Sequence, residues 1–226
     1  MFYFDSTFII LIPALIISAW AQYKVSSTFN KYSNYRSAKG YTGAQVARIL
    51  LDSHGLNYIP VEVIPGKLTD HYDPSRQVMR LSEDVFYSNS VASIGVAAHE
   101  TGHAIQHQRH YAPLVIRNSI VPVVNFSSSL SWVLLIAGIL LGFRGLTSLG
   151  ILLFTAVVIF QLVTLPVEFN ASSRALKILD SKGILYADEV KSARKVLSAA
   201  AMTYVAAALT SIAQLARLII LNRREN

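Results

Sequence analysis

Two stretches of this chain, residues 129–143 and 149–167, carry no charged side chain, and only Arg144-Gly145-Leu146-Thr147-Ser148 separates them. In a bilayer every backbone polar group must be paired within its own segment or barrel, which leaves the helix for a run of this kind. Two such arms on a short link predict a helical hairpin through the membrane over 119–167, with 119–128 as its slightly polar start. A hairpin returns the chain to the side it left. Composition agrees, since 53% of the 226 residues are hydrophobic and 15% are charged, too apolar for an ordinary soluble domain.

The two ends are read in the same way. Residues 8–21 are almost wholly apolar, and the run extends back to Met1 with Asp5 as its one charge. A basic start and a small-x-small cleavage site are both missing, so residues 1–23 are expected to be an uncleaved anchor rather than a signal peptide. Lys24, Lys31, Arg36 and Lys39 follow it, which places the N-terminus outside and residues 24–117 in the cytoplasm. Residues 196–221 form an apolar, alanine-rich helix interrupted by Gln214 and Arg217, expected to be membrane-embedded. A full crossing would carry Arg223 and Arg224 outside against the charge rule, so the extent of its crossing stays open. The net charge of +7 is scattered and has no nucleic-acid motif beside it, so anionic lipid explains it better than nucleic acid. With no cysteine, disulfides, thiolate metal sites and cysteine nucleophiles are excluded.

Within 24–117, Thr42-Gly43-Ala44-Gln45 reads as a capping box opening a helix to about His54, with Gly55 as its stop. Residues 61–64 and 77–81 alternate as strands, and Pro65-Gly66 and Tyr72-Asp73-Pro74-Ser75 read as turns between them. Residues 77–81 are the candidate edge strand for pairing with a substrate backbone.

The chemistry is carried by His99-Glu100-Thr101-Gly102-His103. Ser90 can cap a proline-free helix over 91–108, on which His99 and His103 project from one face and can hold one zinc ion. Glu100 lies beside them as a base for a water molecule. A third ligand is needed. His107 lies about 12 Å along the axis from His99, too far for one ion to bridge, so His107 and His110 read as surface or substrate-side residues. Gln106 and Arg109 occupy the places where the long metzincin motif needs glycine and histidine. A glutamate on a later helix remains, and Glu168 fits best: it stands where the hairpin leaves the bilayer, just after Pro166, which suits a first helical turn, and a carboxylate beside a long apolar run needs a partner. Asp180, Asp188 and Glu189 read as a solvated face, and nothing geometric favours Glu62 or Glu83. His71, Tyr72, Arg174 and Tyr204 are candidate substrate or oxyanion contacts.

Three blocks, residues 68–74 (Leu-Thr-Asp-His-Tyr-Asp-Pro), 96–106 around the two histidines and 165–172 around Glu168, together resemble the YugP-type family of bacterial membrane zinc metallopeptidases. The likeness covers nearly the whole chain and implies a multi-pass plasma-membrane protein. More distantly the chain is similar to the HtpX-type and CAAX prenyl-type membrane proteases, which carry an aspartate four residues beyond the glutamate ligand to orient a zinc-bound histidine. Ser172 stands there in this chain, so support for the histidine is expected from elsewhere, with Asp70 or Asn170 as candidates.

The expected protein is thus mainly α: one integral-membrane metallopeptidase domain with a gluzincin-like core, a small β-hairpin or sheet, a third-ligand region over 168–195 and one zinc per chain. It would hydrolyse membrane or unfolded polypeptides on the cytoplasmic side. A non-catalytic zinc-binding scaffold is the main rival, and the intact Glu100 argues against it. A small transporter would want more polar residues in the spans than the serines, Thr155, Gln161 and Thr164 supply.

Overall fold

A computed structural model describes residues 6–224. Met1 to Asp5, the first residues of the expected anchor, and the side chains of Ser6 and Arg224 lie outside that description. After a 3-10 turn at Ser6–Ile10 come α1 (Leu11–Ser33), α2 (Gly43–Asp52), β1 (Val61–Ile64), β2 (His71–Asp73), β3 (Val78–Ser82), α3 (Glu83–Phe86), α4 (Val91–Gln108), α5 (Ala112–Leu141), α6 (Arg144–Ser181) and α7 (Ala187–Arg224). Among the described residues, four helical segments, Thr7–Ser33, Ala112–Leu141, Arg144–Ser181 and Ala187–Arg223, are long and apolar enough to cross a membrane. The chain folds as two compact units, one of 1–22, 115–166 and 203–226, the other of 23–114 and 167–202.

The first unit is helical. Its hairpin turns at Gly142 and Phe143 rather than at 144–148, which already belong to α6. Gly142 takes a φ of +62°, its N–H reaching the Ile139 carbonyl, and the Phe143 N–H bonds the Gly138 carbonyl at 2.9 Å. That is a Schellman stop, which a residue with a Cβ disfavours. The arms close around Leu135, Phe154 and Val158, joined by Leu218 of α7. Ser18 and Thr210 hydroxyls meet at 3.0 Å, Arg217 Nε donates to Thr7 Oγ1 at 3.3 Å, and the Asn222 amide donates to Ser148 Oγ at 3.3 Å. These pairs set α7 antiparallel to α1, with the C-terminal part of α7 beside the start of α1 and the hairpin link. α7 starts at Ala187, nine residues before the apolar stretch 196–221, and runs unbroken to Arg224.

The second unit is built around α4, which is apolar or small on nearly all sides and so must be buried on all of them. One side packs Ala97, Ala104 and Ile105 onto a core with Leu56, Ile59, Met79 and Leu81. The other packs Ile94 and Ala98 onto Ala175, Leu179, Ala193 and Leu197 of α6 and α7. The sheet has the order β1-β3-β2, with β1 parallel and β2 antiparallel to β3. This corrects two expectations. Residues 77–81 contribute the central strand, whose two ladders are already used, so they offer no edge to a substrate. Tyr72-Asp73 belong to a strand and not to the turn; the hairpin is β2–β3. Its turn is held by Asp73 Oδ1, which accepts from the Ser75 and Arg76 amides at 2.9 and 3.1 Å. Pro166 also differs from expectation, lying in the interior of α6 and not in a first turn.

Candidate metal centre

The Ser90 hydroxyl caps α4 by accepting the Ser93 N–H at 3.1 Å, and the helix then presents His99 and His103 one turn apart. Their partner arrives because of Gly102. A Cβ at that position would lie 2.7 Å from the Ala171 carbonyl oxygen and 3.1 Å from its Cα, so α4 and α6 meet backbone to backbone there. That approach brings Glu168, one turn before Ala171, against the two imidazoles. His99 Nε2 lies 3.2 Å from His103 Nε2 and 3.2 Å from Glu168 Oε2, and His103 Nε2 lies 3.5 Å from the same oxygen. Donors at the corners of a zinc tetrahedron stand about 3.3–3.4 Å apart for bonds of 2.0–2.1 Å. The three sequence-predicted ligands are therefore brought together at the right spacing.

The donor chemistry can be tested further through the far side of each ring. Gln106, fully buried, uses its amide N–H groups on the Val167 carbonyl (2.8 Å) and on Asn170 Oδ1 (3.0 Å). A carbonyl can only accept, so the Gln106 orientation is fixed and its Oε1 must receive a proton from His103 Nδ1, 3.0 Å away. In the neutral ring His103 Nε2 then carries a bare lone pair. It faces His99 Nε2, whose Nδ1 is held by Ser172 Oγ at 3.1 Å. Such convergence of lone pairs and a carboxylate is poorly satisfied by itself and well satisfied by a cation, so the residues present fit zinc. Burial opposes a charge on His103, but the Glu168 carboxylate and Glu100 outweigh it and hold its pKa above the ordinary histidine value.

Glu100 is buried, and burial raises its pKa above the usual carboxylate range against the pull of His99 and His103. Its Oε2 accepts the N–H of Tyr72 at 3.1 Å, so strand β2 holds the carboxylate from the edge facing α4. The Tyr72 hydroxyl pairs with His107 Nδ1 at 2.9 Å, and burial, with Tyr58 and Asp73 nearby, pushes its pKa up to about 12. His71 is exposed, its Nδ1 tied to the Thr69 carbonyl at 2.8 Å. Arg174 Nε donates to Asn170 Oδ1 at 2.6 Å, and its guanidinium lies 5.9 Å from the Tyr111 ring centre. Tyr204 belongs to the first unit.

The expected support for the histidines is only partly where the sequence suggests. Asp70 is spent on Ser82, accepting its N–H at 2.7 Å and its hydroxyl, and burial raises its pKa despite those bonds. Asn170 acts at one remove, through Gln106. Ser172 itself, in the place of the missing aspartate, meets His99, and Gln106 meets His103. The one signal in the sequence for Gln106 is its position three residues beyond His103, on the same helix face.

Known proteins resemble the chain over almost its whole length. A family model described as "Putative neutral zinc metallopeptidase" matches residues 7–223. The chain is also 55% identical over 216 residues, 95% of its own length and 96% of the relative's, to the "Putative membrane protease YugP" of Bacillus subtilis (strain 168). No solved structure matches the chain. A match that runs from the first apolar helix to the last covers both the spans and the histidine-glutamate cluster, and by it the chain belongs to the neutral zinc metallopeptidase family.

Proposed function

We propose that this protein is an integral-membrane, zinc-dependent endopeptidase of the gluzincin type that cleaves membrane or unfolded polypeptides. One zinc per chain would be held by His99, His103 and Glu168. The observation that carries the reading is the convergence of two imidazole lone pairs and a buried carboxylate at 3.2–3.5 Å, with a second buried carboxylate, Glu100, adjacent in sequence to His99. Zinc in such a site supplies Lewis acidity to the scissile carbonyl and makes water acidic enough to attack near neutral pH.

The chain's own groups do the rest. Glu100 takes the proton of the attacking water and returns it to the departing amine. The Tyr72 N–H fixes one carboxylate oxygen and leaves the other for the water. Ser172 and Gln106 set the two rings. Among the oxyanion candidates, His71 stands next to Tyr72 on β2, while Arg174 is engaged with Asn170. The lysines and arginine after the first apolar run support a cytoplasm-facing site, and the membrane protease named in Bacillus subtilis supports a bacterial plasma membrane.

The test is degradation of a labelled unfolded protein by detergent-purified material, wild type against Glu100→Gln, with zinc content measured on both. Equal zinc and activity lower by roughly 10²–10⁴-fold in the variant are expected. Equal activity would remove Glu100 from the mechanism. Zinc bound by both with no cleavage by either, across unfolded and membrane-protein substrates, would favour the scaffold.

A further inference from the structure

A cavity of about 370 Å³ lies between α6 and α7 in the second unit, away from the metal-facing side of the histidines. Its walls are apolar, with Phe169, Leu197 and Met202 among them, and two cations, Lys177 and Arg194, line it as well. Both are exposed, and among the described residues neither makes an ion pair or a hydrogen bond. Ser172 also lines it. When His99 presents Nε2 to the metal centre, its Nδ1 carries the proton and donates to Ser172 Oγ. The serine's own proton then has no acceptor among the described residues, and a ligand in the cavity can supply one.

We propose that this cavity binds an anionic phospholipid from the surrounding bilayer, its headgroup phosphate on Lys177 and Arg194 and part of its acyl chain on the apolar wall. Both walls come from helices apolar enough to cross a membrane, so lipid is the molecule at hand. A zwitterionic lipid would bring its own ammonium group up to two cations that its single phosphate must already serve, and a free anion leaves the apolar wall uncovered. The phosphate matches one half of the site and the chain the other. Through Ser172 the bound lipid touches the group that holds His99, so occupancy would steady that ligand. The proposal rests on the membrane assignment and not on peptidase activity.

The test is lipid binding by native mass spectrometry on the full-length protein in neutral detergent, titrated with phosphatidylglycerol and with phosphatidylcholine. The expected result is a preference for phosphatidylglycerol that falls by about 30-fold in Lys177→Ala/Arg194→Ala, from two cations at the lipid surface. Lys191→Ala/Lys195→Ala removes the same charge from exposed positions of α7 that do not line the cavity, and should keep the preference. Ser198→Trp, an exposed position on the cavity wall, fills the space while leaving both cations and should lower phosphatidylglycerol binding at least as far. Equal loss in the two double variants, no preference between the lipids, or inorganic phosphate displacing the lipid completely would each overturn the proposal. None of these readouts requires catalysis, so a failure here leaves the peptidase reading standing.

Discussion

The sharpest prediction concerns Gly102. Alanine there places a Cβ 2.7 Å from the Ala171 carbonyl oxygen, about 0.7 Å inside the 3.4 Å at which ordinary contact begins. The obstacle is backbone on a buried helix and not the tip of a flexible side chain, so α4 and α6 must separate. Overpacking of this kind costs about 1–3 kcal/mol. The separation acts directly on the cluster, because His99 and His103 ride on α4 while Glu168 and Ser172 ride on α6. A displacement of this size in the groups that hold a metal lowers affinity by about 10–100-fold. Gly95 on the same helix is the control: a Cβ there meets the Ala193 Cβ at 3.5 Å, an ordinary contact. Gly95→Ala should be neutral or stabilising by up to about 1 kcal/mol, the helix-propensity gain. The assay is zinc affinity by chelator competition, together with thermal unfolding in detergent. If Gly102→Ala binds zinc within twofold of wild type, close approach of the two helices is not what assembles the site.

Two further predictions follow from the far sides of the rings. Gln106→Leu removes the acceptor of His103 Nδ1 and strands the Asn170 amide oxygen with Arg174 alone, so zinc affinity should fall by about 10–100-fold, while Gln106→Glu, which keeps an acceptor, should recover part of it; equal loss in both would mean that packing alone is at stake. Stripping the metal leaves two imidazoles 3.2 Å apart beside a carboxylate with only a proton to hold them together, so chelation should lower the unfolding temperature of the wild type. Zinc at a thousandfold excess over its Kd should restore about 4 kcal/mol, and a His99→Ala/His103→Ala variant should respond to neither treatment.

What could be read in advance was whatever the chain encodes locally. The i, i+4 histidines, the Thr42 capping box with its reciprocal Gln45 bond and the Ser90 cap all depend on neighbours within four residues, and all three are formed. Glu168 was legible for a different reason, since a carboxylate at the end of an apolar run needs a partner. The three-residue strand β2 was not, because an Asp-Pro pair gives the same signal whether the chain turns at Tyr72 or just after Asp73. Nor could the central place of β3 be seen, because strand order is set by a crossover rather than by alternation. At the hairpin, Gly142 and Gly145 compete as stops, and the six-to-one bond from Phe143 to Gly138 decides between them. Ser172 and Gln106 meet their partners across helices, 73 and 61 residues away in the case of His99 and the Val167 carbonyl.

The pairing of α1 with α7 bears on biosynthesis. Ser18 and Thr210 are 192 residues apart, so at about 5–20 residues per second the first helix waits roughly 10–40 s for its last neighbour to be synthesised. During that interval the α1 face that receives Thr210, and the 3-10 turn before it that receives Arg217, are open to lipid, to the insertion machinery or to another nascent chain. The residues of the histidine-glutamate cluster have all been made by Ser172, before any of the partnering part of α7 exists. Ribosome stalling after that point would leave a chain carrying all the residues for the metal centre but only three of its four apolar helices, a species for quality control to recognise by its uncovered first span.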